Sequence, residues 1–155
     1  MFYIQGLSQE ITDRVRATRQ SPGYGHPIYE ETASATGPCR ACLQPFRVGE
    51  ESRLLFTYRP PAGQDTVTAP GPVFIHATAC EQYQGHSFPD GLADFSLLLE
   101  GWAADNILPI AKRTTGRDAG LVLAEIFANP AVEYVYVRHG EAGCHIARVD
   151  RASLG

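Results

Sequence analysis

Val132–Val149 reads VEYVYVRHGEAGCHIARV. β-Branched and aromatic residues fill its two arms, and the glycine-bounded stretch His139–Gly143 lies between them. That pattern predicts an antiparallel hairpin with strands over Val132–His139 and Cys144–Val149. Tyr134 and Tyr136 fall on one strand face at period two, and with Trp102 they read as core or sheet-face residues. On the second arm, strict alternation puts Cys144, Ile146 and Arg148 on one face and His145, Ala147 and Val149 on the other. Cys144 and His145 then point opposite ways and do not form an adjacent nucleophile–base pair.

Outward from this hairpin, further strands are predicted at Met1–Gln5, Ser52–Tyr58 (SRLLFTY), Val73–His76 and Phe95–Ala103 (FSLLLEGWA). Ile107–Lys112 returns as the partner of the last of these, across a turn at Ala104-Asp105-Asn106. Two helices are expected. Ser8 caps one over Gln9–Arg19, where Ile11 and Val15 make a thin apolar stripe. The other spans Arg117–Asn129, with Ala119, Val122, Leu123 and Ile126 at i, i+3, i+4, i+7 and a stop at Asn129-Pro130. Gln20–Pro38, rich in Ser, Pro, Gly and Thr, reads as a long loop, as do Pro60–Asp65 and His86–Gly91. The sum is an α+β fold: a single compact domain over residues 1–155, mostly antiparallel strands with one or two packing helices.

The composition is that of an ordinary globular chain. It has 155 residues, 44% hydrophobic and 19% charged, enough to bury a core without a metal. A formal net charge of −4 argues against general nucleic-acid binding, which favours a basic stripe. No apolar run is long enough to span a membrane, and the first residues lack a basic segment followed by an apolar stretch. The expectation is a cytoplasmic protein, in whose reducing surroundings four cysteines read as metal ligands or free thiols before disulfides.

Cys39-x2-Cys42 and His76-x3-Cys80 carry the sharpest chemistry. Three thiols and an imidazole in two close pairs are the ligand set of a closed tetrahedral zinc site. Gly37-Pro38 precedes the first pair, and Pro45 prevents a helix from growing after it. His76 ends a predicted strand, and Cys80 follows where a short helix starting at Thr78 would place it. The arrangement over Cys39–Cys80 resembles the treble clef of LIM-type and PARP-type zinc fingers: Cys-x2-Cys, an apolar residue, Gly49-Glu50, a β-hairpin, then His followed by Cys. It departs from them in the spacing of three between His76 and Cys80. One zinc ion held by Cys39, Cys42, His76 and Cys80 would be structural, because four protein ligands leave no position for water. The competing reading is buried thiols with a hydrogen-bonded histidine. A redox Cys-x-x-Cys is opposed by the prolines, since such a pair follows a strand and opens a helix.

Other polar residues are weaker candidates. Arg138, His139, Cys144, His145 and Arg148 cluster at the closing hairpin. They suggest an alternative function, a small-molecule (biosynthetic) enzyme with a pocket near the 20–38 loop and this hairpin, facing an anionic substrate. Cys144 is also an alternative metal ligand. Glu50, Glu51 and Asp90 are possible general bases, with no second carboxylate placed near them. No glycine-rich phosphate loop is present, so no nucleotide cofactor is expected. The partner is either a small molecule or a protein.

Nearly the whole chain resembles a bacterial family of unknown function, the domain-of-unknown-function family numbered 1203. The resemblance lies in Phe2–Leu7, Gly37–Leu43, Val48-Gly49-Glu50 with Leu54-Leu55, Gly71–His76, Phe127–Pro130 with Val132–Val137, and Gly143–Arg151. It implies a small, one-domain, cytoplasmic bacterial protein and no particular reaction.

Overall fold

The computed structural model describes residues 2–61, 70–104, 107–108 and 110–152. The predicted hairpin is present as β8 (Val132–His139) and β9 (His145–Arg151). Around it lie β1 (Phe2–Gln5), β5 (Gln84–Gly85), β6 (Ser96–Ala103) and β7 (Ile110–Thr115). They form an antiparallel six-stranded sheet in the order β5-β1-β9-β8-β6-β7. A second antiparallel sheet has the order β2-β3-β4, from β2 (Tyr29–Thr32), β3 (Ser52–Tyr58) and β4 (Gly71–His76). The α+β expectation holds. Asp105, Asn106 and residues 62–65 of the predicted turn and loop lie outside the described residues.

Each helix covers one sheet. α2 (Ala119–Phe127) buries Ala119, Leu123 and Ile126 against Leu97, Leu99, Val135 and Val137 of the large sheet. It is shorter than the predicted span at both ends. α1 (Gln9–Thr18) brings Val15, with Ile11 at the margin, onto Leu54, Phe56, Val73 and Ile75. Ser8 caps it as expected, its hydroxyl accepting from the Ile11 amide at 3.3 Å.

Two expectations are corrected. The 20–38 stretch is not all loop: Tyr29–Thr32 pairs with Arg53 and its neighbours. This edge strand is mostly exposed, so it has no buried face to impose alternation. Ion pairs tether it instead, Arg19 to Glu30 at 2.7 Å and Arg53 to Glu31 at 3.0 Å. No helix begins at Thr78 either. Backbone groups after His76 go to other segments, Ala77 to Ser52 and Tyr83 to Ala41.

A third difference concerns facing. The ladder between β8 and β9 pairs Val137 with Ala147 and then Arg138 with His145. Ile146 is the extra residue of a β-bulge. The bulge resets the alternation, so His145 lies on the same face as Arg148 and Tyr136, not opposite. Its ring contacts those of Tyr136 and Tyr58, each at 5.4 Å between centroids.

Candidate metal centre

The small sheet ends where the two halves of the Cys/His set meet. Cys39 to Cys42 form a tight knuckle, closed by the Leu43 amide on the Cys39 carbonyl and the Cys39 amide on the Gln44 carbonyl, each at 2.9 Å. Leu43 sits at positive φ of 60°. Gly37 leads into the knuckle at φ 108°, a region that favours glycine. A Cβ there would also run into the Phe46 ring. Gly37→Ala is therefore expected to destabilise the fold by about 2 kcal/mol, measured by denaturant unfolding beside Gly49→Ala, which shares the left-handed φ (77°) but whose Cβ would meet open space, so that the difference between the two reads the Phe46 clash.

β4 delivers His76 from the other side, and the loop after it delivers Cys80. The four donor atoms of Cys39, Cys42, His76 and Cys80 lie within 4.8 Å of one another. His76 Nδ1 is 3.5 Å from Cys42 Sγ, and Cys39 Sγ is 3.8 Å from Cys80 Sγ. The His76 amide donates to Cys39 Sγ at 3.4 Å. This set can hold a metal ion.

The surroundings fit a metal as well. His76 turns Nδ1 to the thiols and Nε2 to Glu51 Oε2, 2.6 Å away. A carboxylate on the outer nitrogen fixes which ring nitrogen is free to coordinate and makes it a better donor. Glu51 is itself anchored by the Arg47 amide at 2.8 Å, which comes first among the causes holding its carboxyl below the usual range, ahead of the His76 and Arg47 charges. Arg16 of α1 donates to the His76 carbonyl at 3.1 and 3.2 Å and to Cys80 Sγ at 3.5 Å. Phe46 packs on the His76 ring at 4.7 Å.

Without a cation the four donors share their protons unevenly. Hydrogen bonds from Cys42 and then Cys80 hold the Cys39 thiol far below the ordinary thiol range. The same contacts, with Cys39 first, push Cys42 up. Hydrogen bonds to Cys39 and Cys80 raise His76 to about 10. Negative charge thus gathers on the buried Cys39 sulfur, and a metal taking all four donors would displace protons from Cys42 and His76.

Residues 36–151 match the family described as "Protein of unknown function (DUF1203)". The chain belongs to the DUF1203 family. All four donors of this DUF1203 chain lie inside the matched span. No curated protein and no solved structure matches it.

Of the remaining candidates of the DUF1203 chain, Arg138, Cys144 and His145 line one hollow together, and His145 also lines a second with Arg148. Arg138 pairs with Glu100 at 2.7 Å and donates to the Gly143 carbonyl at 3.0 Å. His139 closes the hairpin turn, its Nδ1 accepting from the Glu141 and Ala142 amides at 3.2 Å. Asp90 opens a short 3-10 turn, Asp90–Leu92. Cys144 is outside the four-donor cluster; its sulfur accepts from Arg40 Nη2 at 3.0 Å. His145 and Arg148 share a cavity with Tyr58 and Tyr136. Pro22 and Tyr24 of the 20–38 stretch line a neighbouring hollow that also has Tyr58 and Ile11 in its wall.

Three contributors were not legible as such. Glu51 reads in the sequence only as a possible base, and Arg16 only as a helix charge. The β3–β4 register, Arg53 opposite His76, is what brings Glu51 to the imidazole. Arg40 is the third. Though 3% exposed, it meets no carboxylate among the described residues. It donates from Nε to the His145 carbonyl at 2.8 Å, from Nη1 to the Pro38 carbonyl at 2.6 Å, and from Nη2 to Cys144.

His145 has a measurable consequence for acid stability. Burial first, then the charges of Arg40, Arg138 and Arg148, push it down to about 3. In the unfolded chain a histidine titrates near 6.5. The unfolded state therefore binds a proton that the folded state refuses, and stability falls as pH drops from about 6.5 toward 3. By pH 4 the loss is about 3 kcal/mol. His145→Phe, which keeps an aromatic ring beside Tyr58 and Tyr136, is expected to flatten this part of the curve, read as the difference between the two proteins in urea unfolding at pH 7 and pH 4.

Proposed function

We propose that this DUF1203 protein is a small zinc-binding domain, cytoplasmic and bacterial, with one structural Zn2+ on Cys39, Cys42, His76 and Cys80 and a binding or accessory role. The observation that carries the reading is the convergence of four soft donors with the outer nitrogen of His76 locked on Glu51. Three thiolates and one imidazole favour zinc over calcium or magnesium, which take oxygen ligands. No helix among the described residues is long and apolar enough to cross a membrane.

The ion's work would be mechanical. It would clamp the knuckle to the end of β4 and so hold the loop after His76 in place. A four-ligand site offers no vacant position to activate water, so any reaction belongs elsewhere in the chain.

Metal analysis of the purified chain, with each donor replaced in turn, tests the assignment. One zinc per chain, lost in each variant, is expected. A metal-free sample that is folded and fully stable would sink the idea. Glu51→Gln gives a finer check. It is expected to leave the stoichiometry intact and weaken zinc about tenfold or more, measured by competition with a chelator of known affinity.

A further inference from the structure

A cavity of about 170 Å³ lies away from the metal centre, between the start of α1, the end of β3 and the bulged face of β8 and β9. Tyr136 and His145 line it, 1% and 6% exposed. Neither the Tyr136 hydroxyl nor His145 Nδ1 has a hydrogen-bond partner among the described residues. The Arg148 guanidinium is near enough to act on that hydroxyl, but no well-aligned hydrogen bond joins them. Buried polar atoms are nearly always paired, because an unpaired one costs about 1–3 kcal/mol. Two in the wall of one cavity, brought together by the Ile146 bulge, mark a place prepared for something polar.

The cavity's charge says what kind of group. No carboxylate lines it among the described residues. Arg148 lines it, turned by Nε and Nη2 to Asp150 at 3.0 to 3.2 Å. The buried Arg40 lies behind His145 with no carboxylate of its own. Ser8, the cap of the ten-residue α1, is also in the wall, which sets the start of a helix beside the same space. The rest of the lining includes Leu7, Ile11 and the Tyr58 ring, a surface for an apolar body that an inorganic anion lacks. The volume equals that of five or six waters at ~30 Å³ each.

We propose that this cavity binds a small organic monocarboxylate of about five to seven non-hydrogen atoms. Its carboxylate meets Arg148, the Tyr136 hydroxyl, His145 and the start of α1, and its short apolar end meets Leu7, Ile11 and Tyr58. The site needs no metal chemistry and stands apart from the zinc reading.

Titrating the purified chain with isobutyrate and pyruvate, followed by amide chemical shifts, tests this. Saturable shifts at Ser8, Gln9 and His145 are expected, with half-saturation below about 1 mM. Isobutyramide, equal in shape and uncharged, is expected to bind at least about tenfold more weakly. Tyr136→Phe is expected to melt no lower than the wild type without ligand, since it removes an unpaired hydroxyl, and to bind the carboxylates about tenfold more weakly. Any of four results overturns the proposal: no saturation, equal response to the amide, response to inorganic phosphate alone, or unchanged binding by Tyr136→Phe. A lower melting temperature for that variant overturns it too, because the hydroxyl would then have an internal partner.

Discussion

Cys39→Ser is expected to leave the purified protein without its metal and to lower its stability more than any other single replacement considered. Cys39 is fully buried, and its sulfur takes contacts from Cys80 and from the His76 amide. A serine hydroxyl stays protonated at neutral pH and is a poor zinc ligand. A metal that binds only the folded state adds about 4 kcal/mol when its free concentration is a thousand times its Kd, and that increment disappears in the variant. The bland alternative, a buried thiol with no metal, costs about 1–3 kcal/mol for a badly paired hydroxyl. Unfolding in the presence of a strong chelator separates the two. If the metal is the source, chelator brings the wild type down toward Cys39→Ser. If chelator leaves the gap unchanged, the thiols are structural by packing alone.

Arg40→Met is expected to cost about 3 kcal/mol in urea unfolding with the metal still bound. The guanidinium ties the knuckle, through the Pro38 carbonyl, to the start of β9, through the His145 carbonyl and Cys144. Methionine fills similar space but leaves two buried carbonyls unpaired, at about 1–3 kcal/mol each. It recovers part of that loss because a buried cation no longer has to be desolvated. Arg40→Lys should not rescue fully, since one ammonium cannot reproduce a planar fork aimed at three acceptors. A variant as stable as the wild type would mean that the two sheets are held together by other contacts.

How far these residues could be read from the sequence follows from the range of the forces involved. The strand over Ser52–Tyr58, the hairpin and the apolar face of α2 were legible because each buries one face and so prints a period. The four donors were legible because each pair is local. β2 was not, because Tyr29–Thr32 is mostly exposed and is held by ion pairs with distant residues. The facing of His145 was misread, because one bulged residue reverses every later side chain of a strand. Arg40 and Glu51 were invisible in their roles because the partners that define them, the His145 carbonyl and the His76 imidazole, are distant in the chain and are brought up by the fold.

The place of β1 in the large sheet bears on the order in which the molecule assembles. Among the described residues, β1 pairs as a strand with β9 and with the two-residue β5. During synthesis the donors at 39, 42, 76 and 80 emerge well before residues 145–151. The small sheet and its knuckle can therefore gather early, whereas the edge of β1 that pairs with β9 has no strand partner until β9 is made. Closing so long a loop is slow and leaves strand edges open meanwhile. A knuckle formed early would carry Arg40 toward the place where β9 arrives and so shorten the search that β1 and β9 must make for each other.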